Sequence, residues 1–280
     1  MTKHALITGG SAGLGFEVAK GLILDGWSVT ITARGEDRLR QAAGHLRRLS
    51  EEARVEILPL DLSSLADIRR ATERLQQSGA RFDAIVGNAG AKIESPMKTT
   101  EDDFEWHMGV NHLGHFALVS MALPLLSSGA RISMVSSVVA SRGDARGIYA
   151  SKDVSLSAGQ AYANSKLANQ MFALELNRRL AASGSTVSAT AAHPGFARAS
   201  AYGSKVVRFG EYLAAQSAAR GAKPILESLI AEPGSYLGPG VFELWGSPTA
   251  ALVHEAALDE RLCADLVHES ERLTGLELDL

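Results

Sequence analysis

A single cysteine, Cys263, occurs in 280 residues, which excludes an internal disulfide and fits a reducing compartment. No motif surrounds it, so a structural or surface thiol is the reading, not a nucleophile. No apolar run approaches the roughly 18 residues that span a bilayer. Charge of one sign is also missing: the net charge is −3 and the pI about 6.3. That balance gives no footprint for nucleic acid or an anionic membrane, and Arg47-Arg48 and Arg178-Arg179 fall on helix-like stretches as solvated faces. There is no repeat and no low-complexity tract. The opening "MTKHALITGG" enters folded structure at once, leaving no room for a signal peptide, and a cytoplasmic protein is expected.

What is present is a chain 46% apolar and 21% charged, which suits a substantial core. Short apolar strands alternate with helical stretches. Strands are expected at "HALIT", "SVTITA" (28–33), "VEILPLDL", "FDAIVGNAG", "ARISMVSS" and "TVSATAAHPG", with helices near 14–25, 36–53, 65–77, 103–127 and 162–182. Strands this apolar, separated by helices, indicate a parallel sheet buried on both faces. Right-handed crossovers make it a Rossmann-type, doubly wound α/β fold, a single domain over residues 1–280. Residues 196–240, rich in Gly, Ala and Ser, read as a loop-and-short-helix lid. "VFELW" then reads as an edge strand, and a terminal helix is expected near 256–274.

The first strand runs into Thr8-Gly9-Gly10-Ser11-Ala12-Gly13-Leu14-Gly15 and then a helix. Glycines there permit a tight turn and close approach of backbone to a pyrophosphate. The helix N-terminus adds free N–H groups and the positive end of its dipole. Dinucleotide sites often place an acid after the second strand to hold the ribose 2′-OH. Here that place holds Arg34, which suits a 2′-phosphate and favours NADP(H), with NAD(H) use remaining possible.

Two tyrosine–lysine pairs compete for acid–base chemistry: Tyr149 with Lys152, and Tyr162 with Lys166. Residues four apart on a helix share a face. Tyr162 opens "YANSKLANQMFALELNRRL", free of Gly and Pro, whereas the Ser-rich stretch after Tyr149 soon meets a glycine and would not hold a long helix. Tyr149 lies 13 residues after Ser136. Tyr162–Lys166 is favoured, with Tyr149 as a liner of an enlarged loop over 138–160. A free phenol titrates near 10. One positive charge about 4 Å away is worth about 4 kcal/mol at an effective dielectric near 20, enough to bring it toward neutrality.

The chain resembles the short-chain dehydrogenase/reductase family over nearly its whole length. The resemblance is carried by T-G-x-x-x-G-x-G at 8–15, "LDLSS" at 60–64, "NAG" at 88–90, "VNHLGHF" at 110–116, "VSS" at 135–137, "YANSKLAN" at 162–169 and "HPG" at 193–195. "VNHLGHF" and "YANSKLAN" look most like the retinol dehydrogenase-like subgroup. The resemblance implies that Tyr162 donates a proton to a substrate carbonyl as hydride arrives from the nicotinamide, and that Ser137 bonds the same oxygen. It implies that Lys166 bonds the nicotinamide ribose and lowers the phenol pKa, and that Asn111 holds a water in a proton relay. It further places Asn88, Ala89 and Gly90 beside the cofactor, Asp61 and Leu62 around the adenine, and Pro194-Gly195 along the nicotinamide. A small carbonyl or alcohol substrate is implied, and a homo-oligomer, dimer or tetramer, by analogy. The chain departs from the pattern in "HPGFARAS", where Ala199 replaces a threonine that helps grip the carboxamide; Ser200 or a backbone group could substitute.

Other candidates have plainer readings. His112 and His115 could be an i,i+3 metal pair, but no third ligand accompanies them and a structural role is expected. Glu101, Asp102 and Asp103 suit the start of the following helix. Trp106 and Trp245 read as core or lid packing. Beside carbonyl reduction, two functions stay open: the same fold and cofactor with other chemistry, such as C=C reduction or redox-assisted cyclisation, and a non-catalytic NADP-binding regulator.

Overall fold

Alternation of apolar side chains along β1 (His4–Thr8) sets the layering: Leu6 faces one core, Ala5 and Ile7 the other. The computed structural model describes residues 2–91, 98–148, 156–197 and 215–280. The other strands are β2 (Ser28–Ala33), β3 (Val55–Pro59), β4 (Phe82–Gly87), β5 (Leu126–Val135), β6 (Ser188–Ala192), β7 (Tyr236–Val241) and β8 (Trp245–Ala250). They form one sheet in the order β3-β2-β1-β4-β5-β6-β7-β8, parallel throughout except for the antiparallel β7–β8 pair. The expected doubly wound α/β fold is therefore observed.

Helices cover both faces. On one lie α1 (Gly13–Leu24) and α2 (Glu36–Arg47), whose Val18, Leu22, Leu39 and Leu46 meet Ile7, Val29 and Ile31. On the other lie α3 (Leu65–Gln77) and a composite helix, α4, made of Trp106–Met108, a π-helical segment Gly109–Leu113 and Gly114–Ala122. The long α5 (Ala158–Ala182) joins them, and Ile68, Phe116 and Phe172 pack there on Leu6, Ile85 and Ile132. Helix α6 (Lys223–Ser228) adds Ile225 to the first core, and α7 (Glu260–Thr274) packs Cys263 and Leu266 against Leu167 and Met171 of α5. Cys263 is fully buried and burial pushes its thiol up to about 11, so it is an inert core residue. Among the described residues no helix is long and apolar enough to cross a membrane.

The strand order reverses between β1 and β4, and a crevice at such a switch point, at the carboxyl ends of the strands, is where open α/β sheets hold ligands. The glycine turn follows β1 and "NAG" follows β4, so both motifs border it.

Three expectations are corrected. Most of the C-terminal part of the 196–240 lid is regular structure: α6 is buried on the sheet and β7 is a sheet strand, while 198–214 lie outside the described residues. Gly- and Pro-rich composition misled there because β7 is short and flanked by turns. "VFELW" is the turn joining β7 to β8, with Leu244 N–H donating to the Val241 carbonyl at 3.0 Å. Its β-branched and aromatic residues look strand-like, yet Phe242 (φ 50°) and Glu243 (φ 57°) are both left-handed. The acids 101–103 do not cap their own helix. Asp102 accepts from Leu65 N–H at 2.8 Å, at the start of α3, while Glu105 caps α4 through His107 and Met108.

Two successive positive φ values are the mark of a type I′ hairpin turn, which prefers Asn-Gly. Phe242 is 86% exposed and takes the left-handed conformation at a cost of about 1–2 kcal/mol. Phe242→Asn is expected to stabilise the protein by about 0.5–1 kcal/mol, read as a higher urea midpoint with an unchanged slope; a lower midpoint would show that Phe242 is held by contacts of its own.

Candidate active site

Tyr162, Lys166 and Ser137 meet at the carboxyl end of β5. Ser157 caps α5, accepting from Gln160 N–H, so the helix begins before Tyr162 and holds Tyr162 and Lys166 on one face. Lys166 is buried and its Nζ donates to the carbonyl of Val135, the last residue of β5, at 3.0 Å. Asn169 Nδ2 shares that carbonyl at 3.1 Å, and Ser136 Oγ donates to the carbonyl of Lys166 at 2.7 Å. Strand and helix are thus stitched together around the ammonium. Ser137 opens the 3-10 turn Val138–Arg142, and its hydroxyl lies near enough to the Tyr162 phenol to pull the phenol pKa down. Tyr149 and Lys152, the competing pair, lie outside the described residues, as do Ala199 and Ser200.

The electrostatics differ from the expectation. Lys166 Nζ stands 5.9 Å from the centroid of the Tyr162 ring. Burial raises the phenol pKa, and the nearby Ser137 hydroxyl offsets this only in part. Burial also lowers Lys166 to about 8. At neutral pH the site therefore holds a protonated phenol beside a mostly charged ammonium.

Asn111 lies fully buried in the π-helical segment of α4, a distortion often found at functional sites. Its Oδ1 accepts from Ala91 N–H at 2.6 Å, and its Nδ2 donates to Ser165 Oγ, which donates to the carbonyl of Tyr162 at 2.7 Å. The side-chain amide is thus occupied by protein partners. His115 Nδ1 bonds the Asn111 carbonyl at 2.9 Å and must carry the proton, so Nε2 accepts from Thr8 Oγ at 2.8 Å. Burial lowers His115 to about 4, which keeps this neutral tautomer. Thr8 Oγ in turn accepts from Asn88 and Ala89 N–H, both at 2.9 Å. His112 goes elsewhere, to Ser270 at 2.8 Å, so the two histidines serve separate structural bonds. Sequence reasoning passed over Thr8 and Ser165 as parts of this chain. Their signal was position alone: the end of β1, and three residues after Tyr162.

The crevice fits a dinucleotide. At Gly15 a Cβ would lie 2.5 Å from both Asn88 Nδ2 and the Gly9 carbonyl, so the turn closes only with glycine. Ala12 precedes α1 with no side-chain cap, Gly13 and Leu14 begin the helix, and its first turn has no acid; its N–H groups and those beside the part-buried Ser11 stay available to phosphate. At the exposed Gly90, a Cβ would lie 3.2 Å from Asn111 Oδ1 and 3.5 Å from Lys166 Nζ, so glycine keeps the way to the ammonium open. Asp61 Oδ1 binds Ser63 through N–H and hydroxyl, while the Leu62 side chain sits in the core below. Arg34 is exposed just after β2. His193 Nδ1 accepts from Gly195 N–H, and Gln216 Nε2 donates to the Pro194 carbonyl at 2.7 Å, which fixes the "HPG" bend. Gly195 has φ 64°, and a Cβ there would meet the Leu244 carbonyl at 2.6 Å.

Comparison with known proteins agrees with this fold. The model of the family described as short chain dehydrogenase matches residues 3–206. Human retinol dehydrogenase 14 is 37% identical over 211 residues, 70% of this chain and 62% of that protein, so the chain spans about three fifths of the relative's length. A crystal structure of an uncharacterised protein from Mycobacterium Paratuberculosis superposes with a TM-score of 0.83 at 32% identity, over 99% of this chain and 95% of that one. A blue fluorescent protein from a metagenomic library, in complex with NADPH, gives a TM-score of 0.64 at 25% identity, over 84% and 94%.

The buried lysine leaves a mark on stability. Its folded pKa, about 8, lies below the ordinary 10.5, so between these values the unfolded chain binds the extra proton and stability rises with pH. The wild type is expected to gain about 2–3 kcal/mol relative to Lys166→Met from pH 8 to 10.5, measured by urea unfolding at each pH. A constant difference across that window would mean that Lys166 titrates as a solvated side chain.

Proposed function

The chain belongs to the short chain dehydrogenase family, and on that premise we propose that it is an NADP(H)-dependent oxidoreductase that interconverts a carbonyl and an alcohol, with Tyr162 as general acid and base. The observation that carries this reading is the Ser137–Tyr162 hydroxyl pair, with Lys166 one helical turn on and reachable past Gly90 from the switch-point crevice. The nicotinamide, when bound, supplies or accepts the hydride. Everything else falls to the chain's own residues. The first turn of α1 and the 9–15 loop take the pyrophosphate, Asp61, Leu62 and Arg34 the adenosine half, and Asn88, Ala89, Gly90, Pro194 and Gly195 the walls.

Tyr162 holds the proton that a carbonyl oxygen needs on becoming an alkoxide, and its raised pKa keeps that proton in place at neutral pH. Ser137 bonds the same oxygen and orients it. Lys166 adds positive charge close to the phenol, favouring the phenolate left after transfer. Asn111 ties the 88–91 loop to α5 through Ser165, so the wall and the acid keep one spacing. Arg34, together with the likeness to a structure in complex with NADPH, supports NADP(H) over NAD(H). Similarity to retinol dehydrogenase 14 supports a lipophilic alcohol or aldehyde as substrate. Analogy with the family supports a homo-oligomer, and the single cysteine supports a cytoplasmic location.

A panel of apolar aldehydes and ketones, retinaldehyde included, followed by NADPH absorbance with NADH in parallel, tests the reading. Tyr162→Phe is expected to lower kcat about 10²- to 10⁴-fold, with Tyr149→Phe changing it less than about threefold. Full turnover in Tyr162→Phe with loss in Tyr149→Phe would transfer the acid to Tyr149. Reductive kcat should be level below pH 7 and fall above about 8, as Lys166 loses its proton.

A further inference from the structure

The imidazole of His193 lies at the base of the "HPG" bend and is completely buried. Its slot is built by β7. At Gly238 a Cβ would lie 1.9 Å from His193 Nε2, so only glycine leaves room for the ring, and the Tyr236 ring stands tilted against it at 5.3 Å. The backbone N–H of His193 donates to the Leu237 carbonyl at 2.8 Å, which ties the residue to the same strand. Its Nδ1 accepts from Gly195 N–H at 3.2 Å and closes the bend. A neutral imidazole carries one proton. With Nδ1 accepting, that proton sits on Nε2. Burial lowers the ring pKa to about 4 and so keeps it neutral at physiological pH.

Among the described residues Nε2 has no hydrogen-bond partner. What faces it is a carboxylate: Glu243 Oε2 stands at 3.9 Å, brought there by the turn between β7 and β8. That turn is strained, with Phe242 and Glu243 both left-handed, and strain kept in one place points to a function there. The Glu243 side chain is braced, since Oε1 accepts from Leu252 N–H at 2.5 Å. Its carbonyl and that of Leu244 crowd the space a Cβ on Gly195 would need. The two tautomers of His193 are therefore unequal. A proton on Nε2 faces the negative charge and leaves Nδ1 free to accept. A proton on Nδ1 would face the Gly195 N–H and leave a lone pair toward the carboxylate.

We propose that Glu243 and His193 are positioning residues for the nicotinamide side of the crevice: the carboxylate selects the tautomer, and the tautomer holds the Pro194–Gly195 bend. This rests on the NADP(H) reading above, in which Pro194 and Gly195 form a wall of the cofactor site. Both residues act through the backbone N–H of Gly195. The adenosine half of the cofactor belongs to the ends of β1, β2 and β3, with β4 and β5 between them and β6, and is beyond their reach.

Binding without turnover tests this. Dissociation constants for NADPH and for adenosine 2′,5′-bisphosphate, which lacks the nicotinamide half, are measured by calorimetry on the full chain. The variants are His193→Leu, His193→Asn, Glu243→Gln, and His193→Asn combined with Glu243→Gln. An asparagine Oδ1 takes the place of Nδ1 as acceptor and has no tautomer to select; glutamine keeps the acceptor for Leu252 N–H and removes the charge. His193→Leu is expected to weaken NADPH about tenfold and leave the bisphosphate within about twofold, and retained bisphosphate binding verifies the fold. His193→Asn should restore NADPH to within about threefold of the wild type. Glu243→Gln should weaken NADPH about threefold with His193 present and leave it unchanged in the His193→Asn background, a coupling that a merely structural role would not give. The Glu243 side chain is 27% exposed, so this pair of comparisons decides the matter should His193→Leu not fold. An equal effect of Glu243→Gln in both backgrounds, no effect in either, or parallel weakening of NADPH and the bisphosphate overturns the positioning role and leaves the cofactor reading standing. A wild type that binds neither molecule overturns both.

Discussion

The ammonium of Lys166, buried against the carbonyl of Val135 at 3.0 Å, is the constraint around which the site is arranged. A charge taken out of water needs fixed partners. Here the partner belongs to the last residue of a central strand, so the lysine can be served only if α5 lies straight across the end of β5. The bonds from Ser136 to the Lys166 carbonyl and from Asn169 to Val135 hold it there. Tyr162, one helical turn earlier, then has no choice of position, and Ser137, two residues past Val135, falls within reach of its hydroxyl. Glycine at 90 leaves one side of the ammonium approachable from the crevice.

A second chain of bonds carries this order back to the glycine turn. It runs from Thr8 at the end of β1 through His115 and Asn111 to Ser165 and the Tyr162 carbonyl. Every member is buried or nearly so, and the histidine works only in its neutral form, which burial secures. The side that would bind phosphate and the side that would move a proton are thus parts of one rigid body. Such preorganisation suits chemistry in which hydride and proton reach neighbouring atoms.

Much of this was legible in the residues. β1, β2 and α3 fall where periodicity places them, because their apolar residues keep one face or both faces buried throughout. The preference for Tyr162 over Tyr149 followed from helix-breaking residues near one and their absence near the other. What was not legible depended on partners distant in sequence. "VFELW" has strand-forming residues, yet two of them take left-handed turn geometry because β7 and β8 must reverse over Gly195. Asp102 looks like a cap for the next helix and caps α3 instead, since Leu65 N–H is brought to it across 37 positions. The phenol was expected to be lowered by Lys166, but burial governs both groups and raises it.

The sequence by itself determined the alternation of strand and helix, the glycine turn at the first junction, and the tyrosine–lysine spacing, since each depends on residues within a few positions of one another. Only the tertiary structure decided which carbonyl receives the lysine and which histidine joins Thr8 to Asn111. Those depend on which strand ends are neighbours. The order β2-β1-β4-β5 sets that, and it comes from packing two apolar cores on opposite faces of one sheet rather than from any local pattern.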